Sequence, residues 1–324
     1  MNLYKSKKYN TTINGVRKKL DKYGVAIIPS ILNEDECNKM KDGMWCYLEE
    51  ITKNFETPID RNNEKTWGEL SKLWVKHSML IQQWGIGHTQ FNWDLRQNKK
   101  IIDVFSKLWN KKPEELLVSF DGSSIHMPPE ITKKGWFRGN TWLHSDQSFT
   151  RNDFECVQSW VTANDVNPGD ATLAFYEKSN RYHKEFKNKF NITDKGDWFI
   201  LKDQLYKNFY LEKGCKLQYI KCPAGSLVLW DSRTIHCGQE AMKNRKKTNM
   251  RFVSYLCYTP RNFATEKMLK KKINAFENMR TTSHWPHKPK LFPLKPRTYG
   301  QELAPIADIQ PPQINDLGKK LIGY

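Results

Sequence analysis

Apolar residues are spaced in two different ways along this chain. Near the start, Gly24-Val-Ala-Ile-Ile28 is a short apolar run closed by Pro29 and Ser30, which predicts a strand. Asn33 follows as an N-cap, with Glu36 three residues on to complete a capping box. Cys37, Met40, Met44, Tyr47, Leu48 and Ile51 then recur at helical spacing and predict one apolar helix face. A second helix is expected over about 97–109, burying Ile101, Ile102, Phe105 and Leu108. Between the two lies a stretch rich in tryptophan (Trp67, Trp74, Trp84, Trp93) whose aromatics read as core.

From about residue 116 the pattern changes to short strands. LLVSFDGSSIHM, NTWLHSDQ, CVQSWVTANDV and TLAFY are rich in β-branched and aromatic residues and split by Gly, Asn, Pro or Asp. After a stretch near 180–215 that reads as an irregular insert, Leu217–Lys221 runs into the turn Pro223-Ala-Gly-Ser226, then Leu227-Val-Leu-Trp-Asp231. Arg251–Tyr258 closes the series before Pro260. Many short strands without interleaved helices predict a mainly β fold with flanking helices, its core an antiparallel double-sheet barrel or jelly roll. A charged helix is expected at about 263–280, with Leu269, Ile273 and Phe276 on one side. The proline-containing tail from 284 reads as an extended strap over the surface. The resulting division is a basic N-terminal arm (1–22), a main domain (23–260) and a basic helix and tail (261–324) packed on it. Within the main domain, 23–115 is helical and 116–260 is the jelly roll.

Charge adds one feature. The 324 residues carry a net +18, unevenly spread: the excess is +6 over residues 1–22, +13 over 243–300, zero over 23–242 and −1 over 301–324. Basic ends on a neutral body suit an anionic partner or a solvated lysine-rich surface. No aromatic-interleaved RNA-binding motif, zinc finger or basic zipper accompanies them, so no motif supports nucleic acid. No run of about 18 apolar residues exists, which excludes a membrane-spanning helix. The basic start has no apolar h-region, and seven cysteines form no CxxC pair. Both features point to reduced thiols in a cytoplasmic setting.

The candidate chemistry lies in three places. In His144-Ser145-Asp146, residues i and i+2 of a strand share a face, so imidazole and carboxylate would project side by side, with Trp142 next to them. His236 follows a tight turn and a buried strand in Ala224–Gly238, placed to reach the same point from a core strand. Two histidines and one carboxylate with open positions form the facial triad of non-haem Fe(II) oxygenases. Zinc would call for more Cys or His, and magnesium or calcium for more carboxylates. Arg251, opening the last strand, offers a guanidinium fork for the far carboxylate of a dicarboxylate cosubstrate. Arg245, in the loop Lys243–Lys247, reads as solvated.

The order His144-x-Asp146, PAGSLVLWDSRTIHCG around His236, then Arg251 resembles the Fe(II)/2-oxoglutarate dioxygenases, and specifically the phytanoyl-CoA dioxygenase-like branch. GVAIIPSILNEDE resembles the opening strand and helix of that branch. GDATLAFYEKSNRYH resembles a segment ending in a Gly-Ser-His-like turn, which here reads Lys178-Ser179-Asn180. The resemblance spans about residues 20–260 and leaves the Trp-rich stretch and the tail without counterpart. It implies a cupin-like double-stranded β-helix in which His144, Asp146 and His236 hold Fe(II). It also implies 2-oxoglutarate anchored by Arg251, O2 as oxidant, and hydroxylation of a substrate C–H with release of succinate and CO2. Trp160 falls where related enzymes place an aromatic against the cosubstrate. The presence of Asp146 disfavours halogenation, since a halide needs that ligand position. Nucleic-acid demethylases of the AlkB kind place a second arginine six residues after the first, where this chain has Cys257. The expected substrate is therefore a small or carrier-linked molecule, with an anionic group suited to the basic ends. The competing readings are the same chemistry on a macromolecule, or an inactive barrel used for binding.

The remaining candidates read as structural. These are Cys237, inert beside His236; His88 and His126; His183, in a polar loop that looks exposed; and His284 and His287 in the tail. Gln83 and Arg96 are placed at the substrate entrance.

Overall fold

The computed structural model describes residues 3–324. Its strands, in chain order, are β1 (Val25–Ile28), β2 (Leu80–Ile81), β3 (Leu116–Val118), β4 (Ser123–His126), β5 (His144–Ser145) and β6 (Val157–Thr162), then β7 (Thr172–Tyr176), β8 (Phe199–Ile200), β9 (Leu217–Tyr219), β10 (Leu227–Asp231), β11 (His236–Gln239) and β12 (Arg251–Pro260). A seven-stranded sheet runs β1-β10-β6-β12-β4-β2, with β3 pairing on β12, and a five-stranded sheet runs β8-β5-β11-β7-β9. Both sheets are antiparallel throughout. Together they make the jelly roll with flanking helices that the strand pattern predicts.

Period-2 alternation explains the layering. On β1 and β10, Val25, Ile27, Val228 and Trp230 face inward and pack with Trp160 of β6, Val253 of β12, and Leu173 and Phe175 of the opposite sheet. The alternate residues Ala26, Ile28, Leu227 and Leu229 face outward, against helices. The main covering helix, Glu34–Thr52, starts at the Asn33/Glu36 capping box and buries Cys37, Met40, Met44, Tyr47, Leu48 and Ile51. Helix Lys99–Trp109 buries Ile101, Ile102 and Phe105 beside it, with Leu108 only partly buried.

Two segments differ from expectation. The stretch near 180–215 is not irregular: it contains helices His183–Lys189 and Gln204–Glu212 and strand β8. Phe186, Phe209 and Tyr210 of these helices cover the outer face of the smaller sheet. The tail beyond helix Glu266–Glu277 does run extended, but it ends in helix Asp316–Ile322, whose Leu321 and Ile322 are buried in the same core as Leu116. Near the start, Tyr9, Val16 and Leu20 are buried while most of the neighbouring Lys and Arg are exposed. No helix among the described residues is long and apolar enough to cross a membrane.

Candidate active site

Strand pairing brings the two histidines together. β5 is only two residues long, and its His144 is the direct antiparallel partner of His236. His236 does not end the strand before it, as its position in sequence suggests. That strand, β10, belongs to the larger sheet; the chain then turns through Ser232–Ile235, and His236 opens β11 in the smaller one. The two imidazole centroids lie 4.4 Å apart. Asp146 follows β5, and its Oδ2 is 3.5 Å from Nε2 of His144 and 3.3 Å from Nε2 of His236.

The donor set fits one metal ion. One ligand atom from each of His144, Asp146 and His236 falls within 4.8 Å of the others, and all three residues are buried. Cis ligands that each sit about 2.1 Å from a metal are separated by about 3 Å, close to these spacings. Each histidine donates from Nδ1 to a backbone carbonyl, His144 to Trp142 O at 3.0 Å and His236 to Thr234 O at 2.9 Å. Those bonds leave both Nε2 atoms as lone-pair donors facing Asp146. Gln158 Nε2 donates to Asp146 Oδ2 at 3.0 Å. Burial alone would push the Asp146 carboxyl up, but the neighbouring His144 and His284 imidazoles hold it well below the usual range. Burial and the neighbouring His144 lower the pKa of His236, which favours its neutral, ligating form.

These residues line a cavity of about 510 Å³, within the range of small-molecule sites. Arg251 opens β12 of the larger sheet and enters the same cavity. Its Nε donates to Ser124 Oγ at 2.9 Å and its Nη1 to Ala171 O at 3.1 Å, which fixes the fork and leaves Nη2 without a protein acceptor among the described residues. The guanidinium lies over the Trp160 ring, 5.2 Å from its centroid. Trp160 Nε1 is buried, in a residue that lines the cavity, and has no hydrogen-bond partner among the described residues. The unpaired guanidinium nitrogen is a donor that suits the carboxylate of 2-oxoglutarate, and the orphaned indole N–H belongs to a residue lining the same cavity. Trp142 stacks on His144, with centroids 4.7 Å apart and planes 8° from parallel.

Other expectations are corrected. Arg245 is not solvated: its side chain is 2% exposed and pairs with Glu130 at 2.5 Å and Asp170 at 3.1 Å. His183 is buried, bonded through Nε2 to Ser148 O at 3.1 Å and stacked on Phe149. Arg96 lies in the core, donating to the carbonyls of Gly87 and Asp121, and Gln83 lines a different cavity, so neither is at this entrance. His88, His126 and His287 are buried with local partners, Arg280 O, Ala241 N and Thr259 Oγ1. Burial pushes the Cys237 thiol up to about 12, which keeps it inert.

Sequence reading missed one wall of this cavity. Tail residues Ser283, His284, Trp285 and Lys288 line the cavity, where Lys288 pairs with Asp197 at 3.1 Å. His284 stands close enough to shift Asp146, and its buried Nε2 has no partner among the described residues. No local pattern marks these residues, because only the fold brings the tail back across the barrel mouth.

Residues 20–245 match the sequence model of the family described as phytanoyl-CoA dioxygenase. The chain belongs to the phytanoyl-CoA dioxygenase family. As a member, it is an iron(II)- and 2-oxoglutarate-dependent dioxygenase that takes O2 as cosubstrate. It is 31% identical over 246 residues to the Ava biosynthesis cluster protein O of Aspergillus versicolor, covering 74% of this chain and 76% of that one. Among solved structures, a hypothetical protein of Escherichia coli shares the fold at a TM-score of 0.57 and 14% identity, covering 99% of this chain and 86% of that one. The GlcNAc-inducible gene 2 protein of Candida albicans does so at a TM-score of 0.52 and 12% identity, covering 81% and 67%.

Proposed function

We propose that this dioxygenase hydroxylates a C–H bond of a small or carrier-linked organic molecule, coupled to oxidative decarboxylation of 2-oxoglutarate to succinate and CO2. One observation carries the reading: three metal-ligand atoms and the free edge of a buried arginine share one cavity that is open enough for a substrate. In this reading His144 and His236 present Nε2, held in that tautomer by Trp142 O and Thr234 O, and Asp146 supplies the anionic ligand. Arg251 takes the distal carboxylate of 2-oxoglutarate, with the Trp160 ring under its guanidinium. When bound, iron(II) with 2-oxoglutarate supplies the O2 activation that C–H hydroxylation requires. Asp146 keeps its ligand position from a halide, which supports oxygen rather than halogen transfer. The remaining walls, Trp142, Trp198, Trp285 and Phe292, exclude water and present aromatic surface to the substrate. Lys76 and Lys290 on the same cavity favour a substrate that carries negative charge, while Lys288 is neutralised by Asp197.

The test supplies the Fe(II)-loaded protein with 2-oxoglutarate, isotopically labelled O2 and a panel of organic acids and their carrier thioesters. Succinate release that rises with one substrate, and a product that gains one labelled oxygen atom, support hydroxylation. Succinate release without oxygen incorporation would replace hydroxylation with another outcome of the same activation.

A further inference from the structure

A second cavity of about 500 Å³ lies outside the metal site. Trp67, Leu70, Trp74 and Met127 give it an apolar, aromatic surface. Lys134, Lys295 and Arg297 stand around it, and Lys76 lines both this cavity and the metal cavity. No acidic side chain is among its lining residues. Within the described residues Lys134 and Lys76 reach only neutral oxygens, Ser71 Oγ at 3.4 Å and Gln82 Oε1 at 2.9 Å. A basic chain leaves many cations solvated, but the metal cavity of this same chain includes Asp121, Asp146 and Asp197 in its lining. Four cations around an apolar hollow without one carboxylate make a local positive field over a surface able to bury an organic molecule.

The partition between the cavities carries a second, independent feature. From residues 74–84, His77, Leu80 and Gln82 face the metal cavity, while Val75, Ser78 and Gln83 face the other. Four non-glycine residues of this segment have left-handed backbones: Trp74 (φ 57°), His77 (48°), Ser78 (54°) and Trp84 (60°). Each costs about 1 kcal/mol or more, and such outliers cluster where a segment contacts a ligand. His77 stacks on Trp142 with centroids 4.0 Å apart and planes 4° from parallel, so the partition is continuous with the ring on His144.

We propose that the second cavity binds an amphipathic organic anion. A ring-bearing apolar body lies against the indoles of Trp67 and Trp74, and a carboxylate, sulfonate or phosphate meets Lys134, Lys295 and Arg297. The site stands independently of the reaction assigned to the metal cavity.

The protein is titrated with anilinonaphthalene sulfonate and, separately, with its uncharged parent N-phenylnaphthylamine, following probe emission and quenching of tryptophan. The sulfonate binds at one saturable site, more weakly as salt rises. Replacing Lys134, Lys295 and Arg297 together by Glu weakens the sulfonate about tenfold or more and leaves the uncharged parent unchanged. Gly68→Phe fills the cavity from a position where an added Cβ meets nothing within 4 Å, and abolishes binding of both probes. Sulfonate affinity unchanged by the triple charge reversal overturns the proposal. So does binding of wild-type strength in a folded Gly68→Phe protein, because the probe then sits elsewhere. If Gly68→Phe does not fold, the three surface substitutions decide alone.

Discussion

Trp230 and His236 share a hydrogen bond in which the indole Nε1–H donates to the imidazole Nε2 at 3.1 Å. That nitrogen is the one turned toward Asp146, so the indole occupies the lone pair that a metal requires. Metal binding must therefore break this bond, which holds the ring in its ligating tautomer until then. A neutral hydrogen bond contributes about 0.5–1.5 kcal/mol, or about a two- to tenfold change in affinity. Trp230→Phe keeps a ring in place and removes the donor. We expect it to bind Fe(II) more tightly by about that factor in an anaerobic titration. Unchanged affinity in a folded variant would mean that the indole does not compete with the metal.

Gln158 acts on the same triad from the other side, through its bond to Asp146 Oδ2. Leucine fills nearly the same volume without a donor. Loss of a group that orients a ligand commonly lowers metal affinity about tenfold or more. Gln158→Leu should therefore weaken Fe(II) binding by about that factor with little change in the urea midpoint. A fall in both would show that Gln158 serves the fold rather than the ligand.

The tail wall is held by Trp285, which is 3% exposed and packs against the buried thiols of Cys156 and Cys257. Deleting a buried tryptophan side chain costs about 3–5 kcal/mol where the site cannot collapse. Trp285→Ala should make the chain near residue 285 accessible to protease while the rest of the barrel stays resistant. Protection equal to wild type would show that other contacts hold the tail.

Stability should fall in mild acid. Burial pushes His88 and His126 down to about 3, and His183 and His287 down to about 4. All four lie below the value of about 6.5 expected in the unfolded chain. Below that value the unfolded chain takes up protons that the native protein does not, so these groups stabilise the fold above about pH 6.5 and lose that effect as pH drops. Between pH 6.5 and 5 each costs roughly 2 kcal/mol. Asp121 has the opposite sign: burial raises it to about 7, so the native form binds a proton the unfolded chain lacks, and acid favours it. Four groups against one give a net loss. Urea midpoints should drop from pH 7 to pH 5, and a constant midpoint would mean these histidines are not neutral in the native state.

The strands around the site were legible because their signals are local. TLAFY and LVLWD become β7 and β10 without adjustment. The convergence of His144, Asp146, His236 and Arg251 on one cavity was readable for the same reason, each standing beside a turn or at a strand start. What escaped depends on partners distant in the chain. Arg245 looks solvated among lysines until Glu130 and Asp170 arrive from 115 and 75 residues away. Lysines between Phe186 and Phe190 hid a helix whose Phe186 packs on Phe199 of the smaller sheet and on Phe209 and Tyr210 of the following helix. His284 reads as one more tail histidine, and only the return of the chain across the barrel brings it near Asp146.

The central claim is that His144, Asp146 and His236 hold Fe(II) while Arg251 anchors 2-oxoglutarate beside it. Anaerobic addition of Fe(II) and 2-oxoglutarate tests this through the visible charge-transfer band expected at roughly 500 nm for a keto acid chelating an open Fe(II) site. The account predicts the band in the wild type, its loss in His144→Ala, and a requirement for much more 2-oxoglutarate in Arg251→Ala. A folded, iron-saturated wild type without the band, or His144→Ala with it intact, would contradict the account.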